Sequence, residues 1–520
     1  MTRLEQSTSI GDISRFQAIH RAENTALIFN DEHLSYKALD TLASQSANGL
    51  MAAGVKKNDR ICYLGTNSAH YFELIFAASK IAAVMCPINW RLSTTEILYI
   101  LEDTEAKIIF ITNEFSETVN KVLAKTSRNI TVVNIDNFSD WRKKNKASDP
   151  KVECGLKDDV IQLYTSGTTG YPKGVRLSNQ SLLLTRERES KKSSPEWSRW
   201  HHNDVSLISM PCFHMGGTNY GLSTLYAGAT GVITSQFDPL NQINFIKKYG
   251  ITKQFIVPTA LRIMLKEQSL SNTELESLKY ISYGSSPIPL DLMESAIEKF
   301  GCKFIQKYGM TETGGSCTAL APEDHTIPPN PRMNSVGKPL NGVRLKIINP
   351  SGLEQKIGDK GEIVIQSTGN MNGYWKNIQE TKKSILDGNW FKTGDVGYLD
   401  QEGYLYILDR VKDMILSGGE NIYSAEVERA LKQNPTIDQV AVIGVPDKKW
   451  GESVKACIVL KPNTIKNETK IISECKKILA SYKCPKSIDF LTELPRSTSG
   501  KVLKRQLRKP YWVASNKQVN

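Results

Sequence analysis

The alternation of helical and strand patterns between residues 34 and 112 is the feature that most restricts the fold. Apolar residues recur at helical spacing in LSYKALDTLASQSANGLMAAG and again in AHYFELIFAASKIAA. A short apolar run typical of a strand follows each of them, in DRICYLG and in AKIIFITN. Strands separated by helices predict a parallel sheet that helices cover on both faces, and therefore an α/β fold.

The pattern changes after residue 340 to short paired strands. The segment VGYLDQEGYLYILD predicts a hairpin, because the turn residues DQEG separate two alternating runs. Beyond Asp409, a loop and an amphipathic helix lead into a small α+β unit. A chain of 520 residues is expected to form two or three domains. We predict an amino-terminal domain over 1–409, a hinge at 410–412 and a carboxy-terminal domain over 413–520.

Composition excludes several classes of protein. The chain is 40% hydrophobic and 23% charged, as expected of a folded globular protein. Its longest apolar stretch, Leu74 to Ile88, is interrupted by Lys80 and is shorter than the roughly 18 residues of a membrane span. The amino terminus lacks the apolar core of a signal peptide. The nine cysteines form no CxxC pair, which argues against a disulfide framework or a zinc site and favours the reduced cytoplasm.

Positive charge is concentrated at the carboxy terminus. The net charge is +12, and residues 476–520 contain 11 Lys/Arg against 2 Asp/Glu. Two interpretations stay open: a solvated basic face, or a patch for a polyanionic ligand or an anionic membrane surface, which would allow peripheral membrane association. No nucleic-acid-binding signature accompanies the charge, so nucleic acid is not expected as a partner. A monomer and a homodimer are equally compatible with the sequence.

The stretch LYTSGTTGYPKGVRLSNQ, Leu163 to Gln180, has the composition of a phosphate-binding loop. It is not a Walker A loop, because Lys173 is preceded by Pro172 and followed by Gly174. Glycines nonetheless let backbone N–H groups approach a polyphosphate, and the Thr and Ser hydroxyls and Lys173 add donors and a charge. The loop therefore predicts an anion site of another kind.

Four further motifs accompany this loop in order along the chain. They are PCFHMGG at Pro211–Gly217, YGMTETG at Tyr308–Gly314, WFKTGDVGYLDQEGYLYILDRVKDMILSGGENIYSAEVE at Trp390–Glu428, and PRSTSGKVLKRQLR at Pro495–Arg508. In this order and spacing they resemble the adenylate-forming superfamily of acyl-CoA synthetases, luciferases and peptide-synthetase adenylation domains. The resemblance covers about residues 15 to 510. It implies a large α/β domain of αβαβα layers plus a small β-barrel, followed by a small mobile α+β domain.

The resemblance implies ATP, Mg²⁺ and CoA as ligands, and it implies which residues bind them. Those expected at the phosphates, adenine and ribose of ATP are Thr165, Ser166, Gly167, Thr168, Thr169, Gly170, Lys173, Gly284, Ser285, Ser286, Tyr308, Gly309, Met310, Asp395 and Arg410. Thr311 would contact the α-phosphate and Glu312 would ligate Mg²⁺. Lys501 would bridge the substrate carboxylate and the α-phosphate. The stretch Tyr283–Pro289 departs from the usual Gly-Gly-Ala-Pro of the family.

The implied chemistry explains these residue types. A carboxylate that attacks the α-phosphorus supplies its own nucleophile, so the protein has to bring an anion to a polyanion and spread the charge of the transition state. For the second step, attack of a thiol, the family rotates the small domain about a hinge residue, here Lys412. Pantetheine would then pass along Ser417, Gly418 and Gly419.

The identity of the acid is the least constrained prediction. His214, Gly216 and Trp375 are expected at the acyl pocket, and the aromatic residue in MNGYWKN favours a medium- or long-chain fatty acid. Gly216, Gly217 and Gly221 would leave room for substrate or permit close helix packing, and His214 would act in catalysis or lie at the core edge. Alternatives are an aromatic or short substituted acid, a luciferase-like oxidative enzyme, and a nucleotide sensor without turnover.

Overall fold

A computed structural model describes residues 4–165, 172–267, 275–286, 288–417, 420–497 and 500–512. The chain forms two compact units, Met1–Arg344 with Ile365–Phe391 and Leu345–Val364 with Lys392–Asn520. The predicted boundaries at 409, 412 and 413 concern a motion of one part of the chain against the other, and they stay predictions.

The first unit contains two sheets with helices. Its helices are α1 Gly11–His20, α2 Tyr36–Ala52, α3 Ala69–Lys80, α4 Thr94–Thr104, α5 Ser116–Leu123, α6 Phe138–Lys143, α7 Asn179–Ser190, α8 Met215–Ala227, α9 Pro239–Tyr249, α10 Pro258–Met264, α11 Leu290–Phe300 and α12 Ile378–Ser384. Its strands are β1 Thr25–Phe29, β2 Glu32–Ser35, β3 Arg60–Leu64, β4 Val84–Pro87, β5 Ile108–Ile111, β6 Thr131–Asn134, β7 Asp159–Thr165, β8 Lys173–Ser178, β9 Val205–Ile208, β10 Thr230–Ile233, β11 Lys253–Ile256, β12 Tyr280–Gly284, β13 Lys303–Met310, β14 Gly315–Leu320, β15 Lys338–Pro339, β18 Gly373–Tyr374 and β19 Ile385–Leu386.

The remaining elements lie wholly or mostly in the second unit. These are β16 Arg344–Ile348, β17 Gly361–Gln366, β20 Trp390–Leu399, β21 Leu405–Arg410, β22 Ile415–Ser417, β23 Glu420–Ile422, α13 Ser424–Leu431, β24 Ile437–Asp447, β25 Gly451–Leu460, α14 Glu468–Ile478, β26 Ser487–Phe490 and α15 Lys504–Trp512. β16, β17 and β20 follow one another in a sheet in which β21 also pairs with β20. The predicted hairpin is confirmed, because β20 and β21 pair antiparallel.

The predicted parallel sheet is confirmed in the first unit. A seven-stranded sheet has the order β18-β8-β7-β4-β3-β5-β6, and β3 pairs in parallel with both β4 and β5. A nine-stranded sheet has the order β15-β14-β13-β12-β11-β9-β10-β1-β2, with β11, β12 and β13 parallel. All five residues of β3 are buried, as expected where helices cover both faces of a parallel sheet.

The apolar stretch Leu74 to Ile88 is a core segment. It comprises most of α3 and all of β4, and the residues from Tyr71 to Lys80 in α3 are all buried. The hydroxyl of Ser68 caps α3 by accepting a hydrogen bond from the N–H of Tyr71. Among the described residues, no helix is both long and apolar enough to cross a membrane.

A buried ammonium group lies at the end of α3. The Lys80 side chain is fully buried, and its Nζ is 2.8 Å from an Asp40 oxygen and 2.6 Å from an Asp149 oxygen. Arg15 also pairs with Asp149, at 2.7 Å. Burial opposes ionisation of Asp149, but the hydrogen bonds from Arg15 and Lys80 hold its pKa well below the usual range.

Replacement of Lys80 by Met should lower the free energy of unfolding by about 3 kcal/mol at pH 7, because two carboxylates lose a buried cation. Urea denaturation measures this, and Lys37→Met, at a side chain that is 69% exposed, is the matched control. The Asp149 carboxylate, whose pKa is depressed in the folded state, stabilises the folded protein at pH values above its unfolded-state pKa of about 3.9. This stabilisation is lost as the pH falls below that value towards the folded-state pKa. The difference between wild type and Lys80→Met should therefore shrink below about pH 4. A difference independent of pH would contradict this assignment.

Candidate active site

The phosphate-loop motif begins and ends on a hairpin of the seven-stranded sheet. β7 and β8 pair antiparallel, and Thr165 lies opposite Lys173 in the register. The structure therefore places these two predicted residues side by side at the two ends of the loop. The predicted phosphate ligands in between, Ser166, Gly167, Thr168, Thr169 and Gly170, lie outside the described residues and stay predictions.

The carboxylate of Glu312 is the point where the predicted nucleotide residues meet. The Thr165 hydroxyl donates to Glu312 Oε1 at 3.2 Å, and the Tyr374 hydroxyl donates to the same oxygen at 3.3 Å. Burial and the neighbouring Glu312 carboxylate raise the pKa of Tyr374 above its usual value, so its phenol keeps the proton that it donates. Thr165, Glu312 and Tyr374 therefore form one cluster.

Lys173 lies beside this cluster. Its Nζ is 5.1 Å from the ring centre of Tyr374 and forms an ion pair with Glu380 at the start of α12. Tyr374 and Glu380 were not among the residues predicted from the sequence. The motif MNGYWKN contains Tyr374, but only its neighbour Trp375 was assigned a role. The site thus combines one ammonium group, one shared carboxylate and two hydroxyls.

The YGMTETG motif forms a tight connection between β13 and β14. The two strands pair antiparallel with a bulge at Tyr308 and Gly309, and Thr311–Thr313 form a single 3₁₀ turn. A Cβ on Gly309 would collide with the carbonyl oxygen of Gly315, and Gly314 has a φ of +65°. The crowded backbone therefore requires glycine at both positions. Because of this turn, Thr311 and Glu312 project from the end of β13, next to Met310.

The stretch predicted at adenine begins where β12 ends. Gly284 lies opposite Lys307 of β13, and a Cβ on Gly284 would collide with the carbonyl oxygen of that residue. Ser285 has a φ of +68°, in the left-handed region that favours glycine. The departure from the family pattern noted in the sequence thus coincides with a strained serine, followed by Ser286.

The residues predicted at the acid pocket lie at the start of α8. His214 immediately precedes the helix, and its ring is half-buried with its centre 4.5 Å from that of Phe213. Gly216 faces the ring of Phe255 in β11, because a Cβ on Gly216 would lie 3.3 Å from that ring. Gly217 and Gly221 instead permit close packing, against the carbonyl of Met210 and the ring of Phe72. Of these three glycines, only Gly216 borders the predicted pocket.

Trp375 occupies a different environment. The Arg60 guanidinium lies 3.4 Å from the centre of its ring, and its indole N–H donates to the Asp103 carbonyl at 2.8 Å. These contacts attach β18 to the seven-stranded sheet and so help to position the adjacent Tyr374. None of them brings Trp375 to His214, and its assignment to the acyl pocket stays a prediction.

In the second unit, two residues predicted at the ribose are neighbours. Asp395 and Arg410 lie opposite each other on β20 and β21, with the Arg410 Nε 3.6 Å from a carboxylate oxygen of Asp395. Asp395 is 8% exposed. The antiparallel register therefore places a carboxylate and a guanidinium side by side, and their binding to the ribose stays a prediction.

The predicted hinge and lysine also lie in this unit. Arg508 of α15 donates to the Lys412 carbonyl at 3.0 Å and to Asp413 at 2.8 Å. Lys501 is exposed on a turn in which the Ser497 N–H donates to the Lys501 carbonyl at 2.7 Å. Ser417 ends β22, whereas Gly418 and Gly419 lie outside the described residues. The roles of these residues stay predictions.

Comparison with known proteins identifies the family. Residues 15–375 match the AMP-binding enzyme family, and residues 426–501 match the AMP-binding enzyme C-terminal domain. The fatty acid–[acyl-carrier-protein] ligase ScoC of Streptomyces coeruleorubidus is 36% identical over 516 residues, 99% of either protein. The feruloyl-CoA synthase of an Amycolatopsis species is 35% identical over 491 residues, 94% of this chain and 96% of that protein.

A solved structure agrees with this result. The crystal structure of ATP-bound MatB from Rhodopseudomonas palustris has a TM-score of 0.87 and 28% identity, covering 97% of this chain and 99% of that one. The chain belongs to the family of AMP-binding enzymes. Within that family it is an AMP-forming acyl-CoA synthetase, which uses ATP to join a carboxylic acid to the thiol of CoA. The predicted fold class, superfamily and enzyme class are confirmed.

Replacement of Ser285 by Gly should raise the free energy of unfolding by about 1 kcal/mol, because glycine adopts a positive φ without strain. Urea denaturation of the ligand-free protein measures the difference. The matched control is Ser286→Gly at the next position, where the backbone does not adopt the left-handed conformation. There the added freedom of the unfolded chain should lower stability or leave it unchanged. Equal effects at both positions would refute the assignment of strain to Ser285.

Proposed function

We propose that the protein activates a carboxylic acid with ATP to an acyl-adenylate, releasing pyrophosphate, and then transfers the acyl group to a pantetheine thiol, releasing AMP. The observation that carries the proposal is the convergence of the Thr165 and Tyr374 hydroxyls on Glu312, beside Lys173. Hydroxyl donors, an ammonium group and a carboxylate at the ends of a glycine-rich loop are the groups needed to hold a polyphosphate and its counter-ion.

The donor set at Glu312 fits Mg²⁺. This cation takes oxygen ligands and is usually held by one or two carboxylates together with substrate phosphates. In the described part of the chain, no group of three or more His, Cys, Asp or Glu residues could hold a metal ion alone, which agrees with a site that needs ATP to be complete. Glu312 would hold the ion, which when bound neutralises phosphate charge. The Thr165 and Tyr374 hydroxyls orient the Glu312 carboxylate for this role.

The remaining residues bind and orient the reactants. Lys173 would bind the outer phosphates, and its ion pair with Glu380 would hold its ammonium group in place until ATP arrives. Thr311 would donate to the α-phosphate while the attacking carboxylate approaches. His214, at the start of α8, would lie between the acid and the incoming thiol. The carboxylate forms a bond to the α-phosphorus as the bond to pyrophosphate breaks, and no protein nucleophile takes part.

The second unit would supply the ribose contacts and the mobile lysine. Asp395 would bind the ribose hydroxyls with Arg410 beside it. Lys501 would serve the adenylation step and withdraw when residues 413–520 rotate about Lys412. The segment Ser417–Gly419 would then guide the thiol. The hydrogen bond from Arg508 to the Lys412 carbonyl supports a hinge that is held in one state and released in another.

CoA is the acceptor that the enzyme class gives, and a carrier protein is a second candidate. The feruloyl-CoA synthase is named for CoA, whereas ScoC, 36% identical over 99% of the chain, is named for a carrier protein. Both acceptors would present a pantetheine thiol, so a carrier-protein ligase is a second candidate. For the acid, a medium- or long-chain fatty acid and an aromatic or short substituted acid are both retained. A cytoplasmic location, peripheral membrane association and a monomeric or homodimeric state belong to the proposal as sequence predictions.

The experiment that tests the function is pyrophosphate release across a panel of carboxylic acids. Each acid is assayed with ATP alone, with CoA and with a phosphopantetheinylated acyl carrier protein. Acid-dependent pyrophosphate release together with a thioester product on one acceptor supports the proposal and selects the acceptor. Oxygen-dependent light without thioester would identify a luciferase-like enzyme, and ATP binding with no pyrophosphate from any acid would identify a sensor.

Replacement of Lys501 by Ala should slow adenylation about a hundredfold or more, because the transition state loses at least about 3 kcal/mol of charge stabilisation. The rate of acyl-adenylate formation in a single turnover measures this loss. Transfer from preformed acyl-adenylate to the thiol should change far less. Lys486→Ala removes another exposed lysine of the same unit and serves as the control. Adenylation at the wild-type rate would remove Lys501 from the mechanism.

Replacement of Lys412 by Pro should impair thioester formation at least about tenfold and leave adenylation nearly unchanged, because a fixed φ blocks rotation at the hinge. Lys412→Ala removes the same side chain without restricting the backbone, and it should preserve both half-reactions. The two steps are measured separately, as acyl-adenylate formation and as transfer from isolated acyl-adenylate. Equal losses in both steps would place the hinge elsewhere.

A further inference from the structure

Lys307 lies on the face of the nine-stranded sheet that also carries Phe255, a neighbour of the predicted acid pocket. In the parallel sheet, Phe255 pairs with Ser282, and Gly284 pairs with Lys307. Paired residues of parallel strands share a face, and so do residues two apart along a strand. Ser282 and Gly284 are two apart, so Phe255, Ser282, Gly284 and Lys307 all lie on one face. Phe255 contacts Gly216 from that face, which is therefore the one that α8 covers.

The surface of α8 that faces the sheet is partly exposed. Gly216, Asn219 and Tyr220 keep partial exposure and are spaced as one helical face, whereas the intervening Gly217 and Thr218 are buried. The rings of Tyr220 and Phe255 are 6.2 Å apart. The Phe255 ring lies between Gly216 on the helix and Gly284 on the sheet, because a Cβ on either glycine would lie 3.3 Å or 3.7 Å from that ring. A substrate that enters the space beside this partly exposed ring would meet the Lys307 side chain.

The charges around this space do not balance. Lys307 Nζ is 4.0 Å from a Glu189 oxygen of α7, and these two side chains are 17% and 15% exposed. Arg186, one turn earlier in α7, is buried and donates to the Leu182 carbonyl and to the carbonyl and Oδ1 of Asn219. Within the described part of the chain no carboxylate pairs with Arg186, and its Nε has no hydrogen-bond partner. Two cations, Lys307 and Arg186, therefore lie near Glu189, and only Lys307 forms an ion pair with it.

Burial makes this imbalance costly. It lowers the pKa of Arg186 to about 10, with Glu189 acting in the opposite direction. The next buried cation in the sheet, Lys253, has its own partner, Asp204, at 2.7 Å and does not use Glu189. Buried charges in proteins are generally paired, so one further anion would complete the set. An alkyl chain at this position would instead remove water from Lys307 and supply no charge.

We propose that Lys307 determines specificity by binding a second anionic group of the acid, so that the enzyme prefers dicarboxylic to monocarboxylic substrates. The inference rests on the proposed adenylation of an acid and names its substrate class. One carboxylate would be activated at the nucleotide, and the other would bind Lys307, with Glu189 turning towards Arg186. Because Lys307 and Glu189 are 4.0 Å apart, the ammonium group can still donate a hydrogen bond to a second partner.

The test compares acids of matched length in the full-length protein. Initial rates of pyrophosphate release are measured for adipate against hexanoate and suberate against octanoate, with the corresponding ω-hydroxy acids to separate charge from hydrogen bonding. Lys307→Met removes the charge and keeps the length of the side chain, and Lys307→Arg is the conservative variant. Lys303→Met, at the exposed start of the same strand, is the matched control.

Wild type should favour each diacid about tenfold or more in kcat/KM. Lys307→Met should lower kcat/KM for diacids about ten- to a hundredfold, mainly by raising KM. For monoacids the same variant should leave kcat/KM unchanged or raise it. Lys307→Arg should retain the preference, and Lys303→Met should match wild type. A wild-type preference for monoacids or hydroxy acids, or equal losses for both classes in Lys307→Met, overturns the inference while the proposed function stands.

Failure of the proposed function is distinguished by calorimetry. If no acid causes pyrophosphate release, titration of adipate and suberate into wild type and Lys307→Met without nucleotide decides the inference alone. If diacid binds to wild type, and binds to Lys307→Met about tenfold or more weakly, the site is supported, although the enzyme activity is then refuted. Absent or equal binding in the two proteins overturns the inference.

Discussion

The site in the first unit depends on one shared acceptor, the carboxylate of Glu312. Thr165, at the end of β7, and Tyr374, on β18, both donate hydroxyl hydrogens to the same oxygen, and Glu312 itself follows β13. Three segments far apart in the chain are thereby held against one charged group. Burial keeps the Tyr374 phenol protonated, so the donor that orients the carboxylate is maintained at neutral pH.

The nine-stranded sheet contributes through the alternation of its side chains between the two faces. Parallel pairing of β11, β12 and β13 directs Phe255, Gly284 and Lys307 to one face, opposite Gly216 and Tyr220 of α8. Lys307 supplies a positive charge on that face. The same strand leads into the predicted nucleotide site, because Lys307 directly precedes the motif that contains Thr311 and Glu312.

Sequence motifs predicted the chemical groups better than their partners. Thr165, Lys173 and Glu312 were assigned from their motifs, and the structure brings them together. Tyr374 was missed although it is adjacent to Trp375, because the indole of Trp375 was taken as the functional aromatic group. The structure instead places that indole against Arg60 and Asp103, where it secures β18. Trp375 lies just beyond β18, whose last residue is Tyr374, so proximity in sequence did not indicate which of the two side chains contacts Glu312.

Ser285 was recognisable as unusual from the sequence, but its backbone conformation was not. Its departure from a glycine-rich pattern was visible in the sequence, but the φ of +68° that makes it a strained position is a property of the folded backbone. The glycines of α8 required the same information. Gly217 and Gly221 serve packing while Gly216 borders the pocket, and only their neighbours across the fold distinguish these roles.

By itself the sequence determined the α/β class and the superfamily and predicted which groups bind the nucleotide, because those depend on local periodicity and on contiguous motifs. Only the tertiary structure decided which hydroxyls orient Glu312, where Trp375 packs, and that Lys307 pairs with Glu189. Each of these depends on strand register and on contacts between segments tens to hundreds of residues apart. Such contacts follow from the pairing of sheets and the packing of helices against them, which no local pattern of residues specifies.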